Sequence, residues 1–234
     1  PALFFVPGSP LGRSTMWDTV IPRVLIGCVL VVLAGCSAAP VGTYFPAPDH
    51  PDALKVSHAL YRAALAAGDD PARYSFALVA SPQVQAWSDD NATFYVSDGL
   101  ARMPVQVIEP LIAHEVAHEL LGHVGKNRAV SLSITSGFAL AGILVPGSSL
   151  ADFVVNPLIV RAFSREQEKE ADARAVEILR AMGHAAPRRA LWLALQAADA
   201  RNGKLNERGG LLATHPPMVQ RLAALEPLEP PTSP

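Results

Sequence analysis

The sequence is poor in cysteine. It holds two, Cys28 and Cys36, both near the start. A disulfide framework is therefore excluded beyond residue 36, and so is a cysteine-based zinc site. Any metal there must be held by His, Asp or Glu. Charge is also scarce, at 17% of residues with a net of −2. No run of Lys or Arg provides a basic field, which excludes nucleic acid as a partner. Half of the residues are apolar, so the bulk of the chain is not disordered.

What is present begins with a targeting segment. Met16 is the first methionine and reads as a translation start, with residues 1–15 upstream of it. Arg23 gives a weak positive region, and Val24 to Leu33 is uncharged but too short to span a membrane. Leu33-Ala34-Gly35-Cys36 then resembles the bacterial lipoprotein signal, with small residues before a cysteine that takes lipid. The alternative is a plain signal peptide or an anchor helix. The lipoprotein reading makes residues 1–35 upstream sequence and signal peptide, and Cys36 the lipidation site. It places the protein in the bacterial cell envelope, lipid-anchored and facing the periplasm. Ser37 after the cysteine favours the outer membrane.

Residues 36–51, with prolines at 40, 46, 48 and 51, read as an irregular tether. Residues 52–67 carry helical apolar spacing up to Gly68-Asp69-Asp70-Pro71. Short strands are expected at 74–79, 84–87 and 92–96. A helix follows from Val105, or from Pro110 as a first-turn proline, to about Gly125. Residues 129–160 hold one charge, Asp152, and are cut by Pro146-Gly147. They read either as a membrane-inserted hairpin or as a pair of buried or interfacial helices. Helices are expected at 162–182, 188–200 and 217–225, with a loop at 201–213 and a disordered tail at 226–234.

The chemistry concentrates at His114-Glu115-Val116-Ala117-His118. Two histidines four apart leave one helix face and can share a zinc ion. Glu115 can reach water at that metal without ligating it, and serve as general base. His123 lies nine residues after His114, about 900° of continuous helix, and so points to the opposite face as a polar helix-end residue. The third ligand is sought in Ser164-Arg165-Glu166-Gln167-Glu168-Lys169-Glu170-Ala171-Asp172. Glu168 and Asp172 share one face of a helix there. Glu168 can bind the metal and Asp172 can accept the outer N–H of a ligating His. Glu166 stays open as the rival ligand, and a solvated charged face as the bland reading. Ala171, Ala173 and Ala175 favour close approach of the two helices.

These residues resemble a zinc metallopeptidase family, peptidase family forty-eight. It includes HtpX, the CAAX prenyl proteases, and the Oma-type and BepA/LoiP-type periplasmic proteases. The likeness runs through Asn91 to Leu100, His114 to His118 with Gly122-His123, Ser164 to Asp172, and Thr214-His215-Pro216 with Arg221. It spans roughly residues 50–225. It implies one zinc per chain held by His114, His118 and Glu168, Glu115 as catalytic base, and Asp172 behind a ligand. Arg221 can stabilise an oxyanion, or make only a surface ion pair. His215 can do the same, take zinc's fourth position, or simply begin a helix. The implied fold is a mostly helical α+β metallopeptidase domain over residues 52–225, with a small sheet along the cleft.

The expected activity is zinc-dependent endoproteolysis of misfolded or membrane-associated envelope proteins. Peptide would add as a strand to a sheet edge, with Ala92 to Val96 as the candidate edge. Two other readings compete: a zinc-containing lipoprotein that binds or chaperones without cleaving, and an integral membrane protein spanning through 129–160. The oligomeric state is open.

Overall fold

The computed structural model describes residues 39–89, 92–126, 163–204 and 218–231. The chain divides into Pro1–Ala39 and Pro40–Pro234, and every element below lies in the second unit. They are β1 (Thr43–Tyr44), α1 (Pro51–Ala66), a 3₁₀ turn at Pro71–Arg73, β2 (Ser75–Val79), β3 (Ala86–Ser88), β4 (Thr93–Ser97), α2 (Asp98–Ala101), α3 (Val105–Leu120), α4 (Arg165–Ala181), α5 (Pro187–Lys204) and α6 (Met218–Ala224). The fold is α+β and mostly helical, with one small mixed sheet.

Helix α3 is central. From Ile108 to His118 every residue is buried, so it has no solvent face over that span. It packs against α1, α4, α5 and β3. It starts at Val105, the earlier of the two expected starts, and Pro110 lies inside it. Helix α1 turns Val56, Ala59, Leu60 and Ala63 toward it. Helix α4 begins with a capping box: Gln167 N donates to Ser164 Oγ at 3.2 Å, and Ser164 N donates to Gln167 Oε1 at 2.8 Å. Its contact face carries Ala171 and Ala175, both fully buried. Ala173 is exposed, so only two of the three alanines serve the close approach.

The sheet order is β1-β2-β4-β3, with β2 and β4 parallel and the outer pairs antiparallel. Leu78, Ala86, Phe94 and Val96 join the main core, while Ala77, Val79, Tyr95 and Trp87 gather on the other face. Strand β4 is paired on both sides, so the expected edge at Ala92 to Val96 is corrected. Phe94 to Ser97 are all buried, and a strand buried on both faces takes the sheet's interior. Among the described residues the edges are β1 and β3, and β3 is the one beside α3.

Two anchors hold the chain leading into β3. Asn202 accepts from Val84 N at 2.7 Å and donates to Val84 O at 3.0 Å. Ser97 Oγ accepts from Gln85 N at 3.1 Å and from Leu100 N at 3.2 Å. A side chain at Gly99 would overlap the carbonyl oxygens of Pro82 and Gln83, so glycine is needed there.

Both ends of the domain differ from expectation. Thr43–Tyr44 of the tether pairs with Leu78 and Val79 as an edge strand. Residues 226–231 of the tail are docked: Glu229 accepts from Arg188 N at 3.2 Å and Arg189 N at 3.0 Å. The unpaired N–H groups that open α5 thus find a carboxylate. Among the described residues, no helix is long and apolar enough to cross a membrane. The segment 129–160, the signal with Cys36, and His215 lie outside the described residues.

Candidate metal centre

The centre is built where α3 crosses α4. His114 and His118 are one helical turn apart and both are fully buried. Their Nε2 atoms face each other at 3.0 Å. Glu168 enters from α4, 1% exposed, with Oε1 at 3.2 Å from His118 Nε2 and Oε2 at 3.6 Å from His114 Nε2. Glu166 and Glu170, two residues either side, are exposed. Between the rival ligands, the buried one facing both histidines is Glu168.

Asp172, one turn further along α4, sits behind His114. Its Oδ1 accepts from His114 Nδ1 at 3.0 Å. Arg221 reaches in from α6 and is 3% exposed. It donates from Nη2 to Asp172 Oδ1 at 2.6 Å and from Nε to Oδ2 at 3.0 Å, and its Nη1 lies 3.1 Å from Glu168 Oε2. Its Nη2 is 3.3 Å from His114 Nδ1 and 3.2 Å from His114 Nε2. The reading of Arg221 as a surface ion pair is therefore overturned, because the pair is buried. Glu115 is 1% exposed and follows His114 by about 100° of helix. Burial works against the Arg221 charge, but Asp172 first, then Glu168 and Glu115, hold its pKa above the usual guanidinium value.

The electrostatics favour a cation between the ligating atoms. Burial and Arg221 both push the His114 pKa down, yet the carboxylates of Asp172 and Glu168 outweigh them and lift it to about 9. Burial works against the Asp172 charge, but Arg221 and His114 bring its pKa down to about 2. The donor set is two imidazoles and a carboxylate, which suits zinc. The three ligand atoms lie within 4.8 Å of one another. A tetrahedral ion with bonds of ~2.0–2.1 Å needs its ligands roughly 3.3 Å apart. The separations of 3.0, 3.2 and 3.6 Å bracket that value. The residues fit the metal.

The structure corrects the position that helix arithmetic gives His123. Helix α3 ends at Leu120, and Gly122 adopts φ +65. This left-handed turn redirects the chain and returns His123 to the centre, fully buried. Its Nδ1 meets His118 Nδ1 at 3.1 Å and its Nε2 meets Glu170 Oε2 at 3.1 Å. Burial pushes its pKa below the usual His range despite Glu170. Phe163, just before the α4 cap, stacks on His118 with ring centres 3.8 Å apart. Neither Phe163 nor the His123 contact follows from spacing. The signal that could have found His123 is the glycine before it.

Comparison with curated proteins gave no match. A family model, that of peptidase family M48, matches residues 52–229, which takes in all but the first residue of α1, strands β2 to β4, both helices of the metal centre and Arg221. The family is one of zinc-dependent metallopeptidases, and the match covers most of the chain. The chain belongs to peptidase family M48.

Proposed function

We propose that this protein is an endopeptidase of the bacterial cell envelope, with one zinc held by His114, His118 and Glu168. The observation that carries the reading is the buried convergence of those three side chains beside Glu115 on the same helix. A bound zinc supplies Lewis acidity, making water nucleophilic near neutral pH and polarising the peptide carbonyl. Glu115 takes the proton of the attacking water and returns it to the leaving amine. Asp172 holds the His114 ring with its Nδ1–H, and so keeps Nε2 free to ligate. Arg221 holds Asp172 and Glu168 in place and brings positive charge to the pocket where the oxyanion develops. His215 remains the proposed companion of Arg221 there, as oxyanion donor or fourth ligand.

Peptide substrate adds as a strand alongside β3, the edge strand among the described residues that lies beside α3. The substrates are misfolded or membrane-associated envelope proteins. The chain is tethered through lipid on Cys36, on the periplasmic side of the outer membrane. This part of the proposal rests on the Leu33-Ala34-Gly35-Cys36 signal.

Glu115→Gln tests the chemistry. The variant should keep zinc and fold while casein cleavage is lost, because only the base is removed. Activity within about tenfold of wild type refutes the mechanism.

A further inference from the structure

Asp172 gives His114 a carboxylate. His118 has a different arrangement on its outer nitrogen. Its Nε2 faces Glu168 Oε1 and His114 Nε2, so in the proposed centre Nε2 is the ligating atom. A neutral imidazole that ligates through Nε2 carries its proton on Nδ1. That proton points at His123 Nδ1, 3.1 Å away, which must therefore accept. The proton of His123 then sits on Nε2, where Glu170 Oε2 accepts it at 3.1 Å. Each hydrogen bond fixes the tautomer of the next ring, and the opposite order would set two N–H groups against each other. Phe163 lies over His118, with its ring centre 6.4 Å from that of His123, and shields the bond between the two rings. The chain ends at a carboxylate whose side chain is 62% exposed.

We propose that His123 is a positioning residue for the metal ligand His118, and that Glu170 holds His123 in the Nε2–H tautomer this requires. The inference rests on the reading of His118 as a zinc ligand. His118 is thus oriented by a neutral ring backed by a surface carboxylate. The Gly122 turn exists to bring that ring back.

The test measures zinc affinity of the full chain by competition with a chromogenic chelator. His123→Leu fills the space without an acceptor and should bind zinc about 10–100-fold more weakly. His123→Asn puts its Oδ1 where Nδ1 was, and should return affinity to within a few-fold of wild type. Glu170→Ala should give a smaller loss than His123→Leu, since water can replace an exposed partner. Nitrogen-15 resonances of the zinc-loaded wild type should show His123 protonated on Nε2, which also serves if the leucine variant fails to fold. Wild-type affinity in His123→Leu, or a proton on His123 Nδ1, overturns the proposal. A wild type that takes up no zinc, or a Glu168→Ala variant that keeps it, instead refutes the metal centre itself.

Discussion

Replacing Asp172 by asparagine changes one atom in the buried centre. Oδ1 of Asp172 accepts from His114 Nδ1 and Arg221 Nη2, and Oδ2 accepts from Arg221 Nε. Asparagine can keep its oxygen toward His114. Its amide nitrogen then faces Arg221 Nε, donor against donor. Arg221 stays buried with the Glu168 carboxylate at 3.1 Å. Removing one partner of a buried ion pair costs about 3–5 kcal/mol, and the remaining Glu168 contact puts the expected loss near the lower value. At about 2–4 °C per kcal/mol for a domain of this size, the melting midpoint should fall by roughly 6–12 °C. Zinc affinity should fall only about tenfold, because His114 retains an acceptor, whereas Asp172→Ala should approach 100-fold. Circular-dichroism melting and chelator competition read the two effects separately. An asparagine variant melting within about 2 °C of wild type would show that the pair does not hold α6 onto α4. Equal zinc affinity in both variants would remove Asp172 from the orientation of His114.

Glu168→Ala should release most of the zinc while Glu166→Ala keeps it, as metal analysis of the purified variants would report; the reverse pattern would mean the register on α4 is wrong. Cys36→Ser should yield unprocessed or soluble protein on fractionation, and persistence in the membrane after high-pH washing would defeat lipid anchoring. Glu229→Gln weakens the carboxylate contact with the start of α5 and should cost about 0.5–1 kcal/mol in urea unfolding at pH 6. Burial opposes the charge of Glu229, but backbone N–H groups, those of Arg188 and Arg189 among them, hold its pKa below the usual value. With a folded pKa below the unfolded one, the stabilisation is present above about pH 4.3 and is lost as pH falls through the folded value. The gap between wild type and variant should therefore shrink in acid, and a gap that stays constant all the way to acid unfolding would contradict the assignment.

The pair of histidines on α3 is legible from spacing, and so is the shared face of Glu168 and Asp172 on α4, with Glu166 left as a rival until burial decides between them. Both depend on positions one helical turn apart, and a local period needs nothing from the rest of the chain. The burial of α1 and the strand stretches around Leu78 and Phe94 follow the same way from apolar periodicity. The likeness to a zinc peptidase family rests on those residues of α3 and α4 together with Asn91 to Leu100 and Thr214-His215-Pro216 with Arg221, and the family match over 52–229 shows the family.

Other features are decided between segments distant in sequence. Which strand forms an edge depends on pairing: β4 resembles its neighbours locally, yet β2 and β3 enclose it. Arg221 lies 49 residues from Asp172 and 107 from His114, so its burial against both cannot be read from its own helix. Glu229 likewise finds its partners 40 and 41 residues away. His123 shows the limit most directly. Sequence arithmetic continues a helix until something stops it, and a single left-handed residue at Gly122 is enough to change where every later side chain points. Backbone periodicity is local and survives in the sequence; the partners of a buried charge or ring nitrogen are set only when distant segments pack.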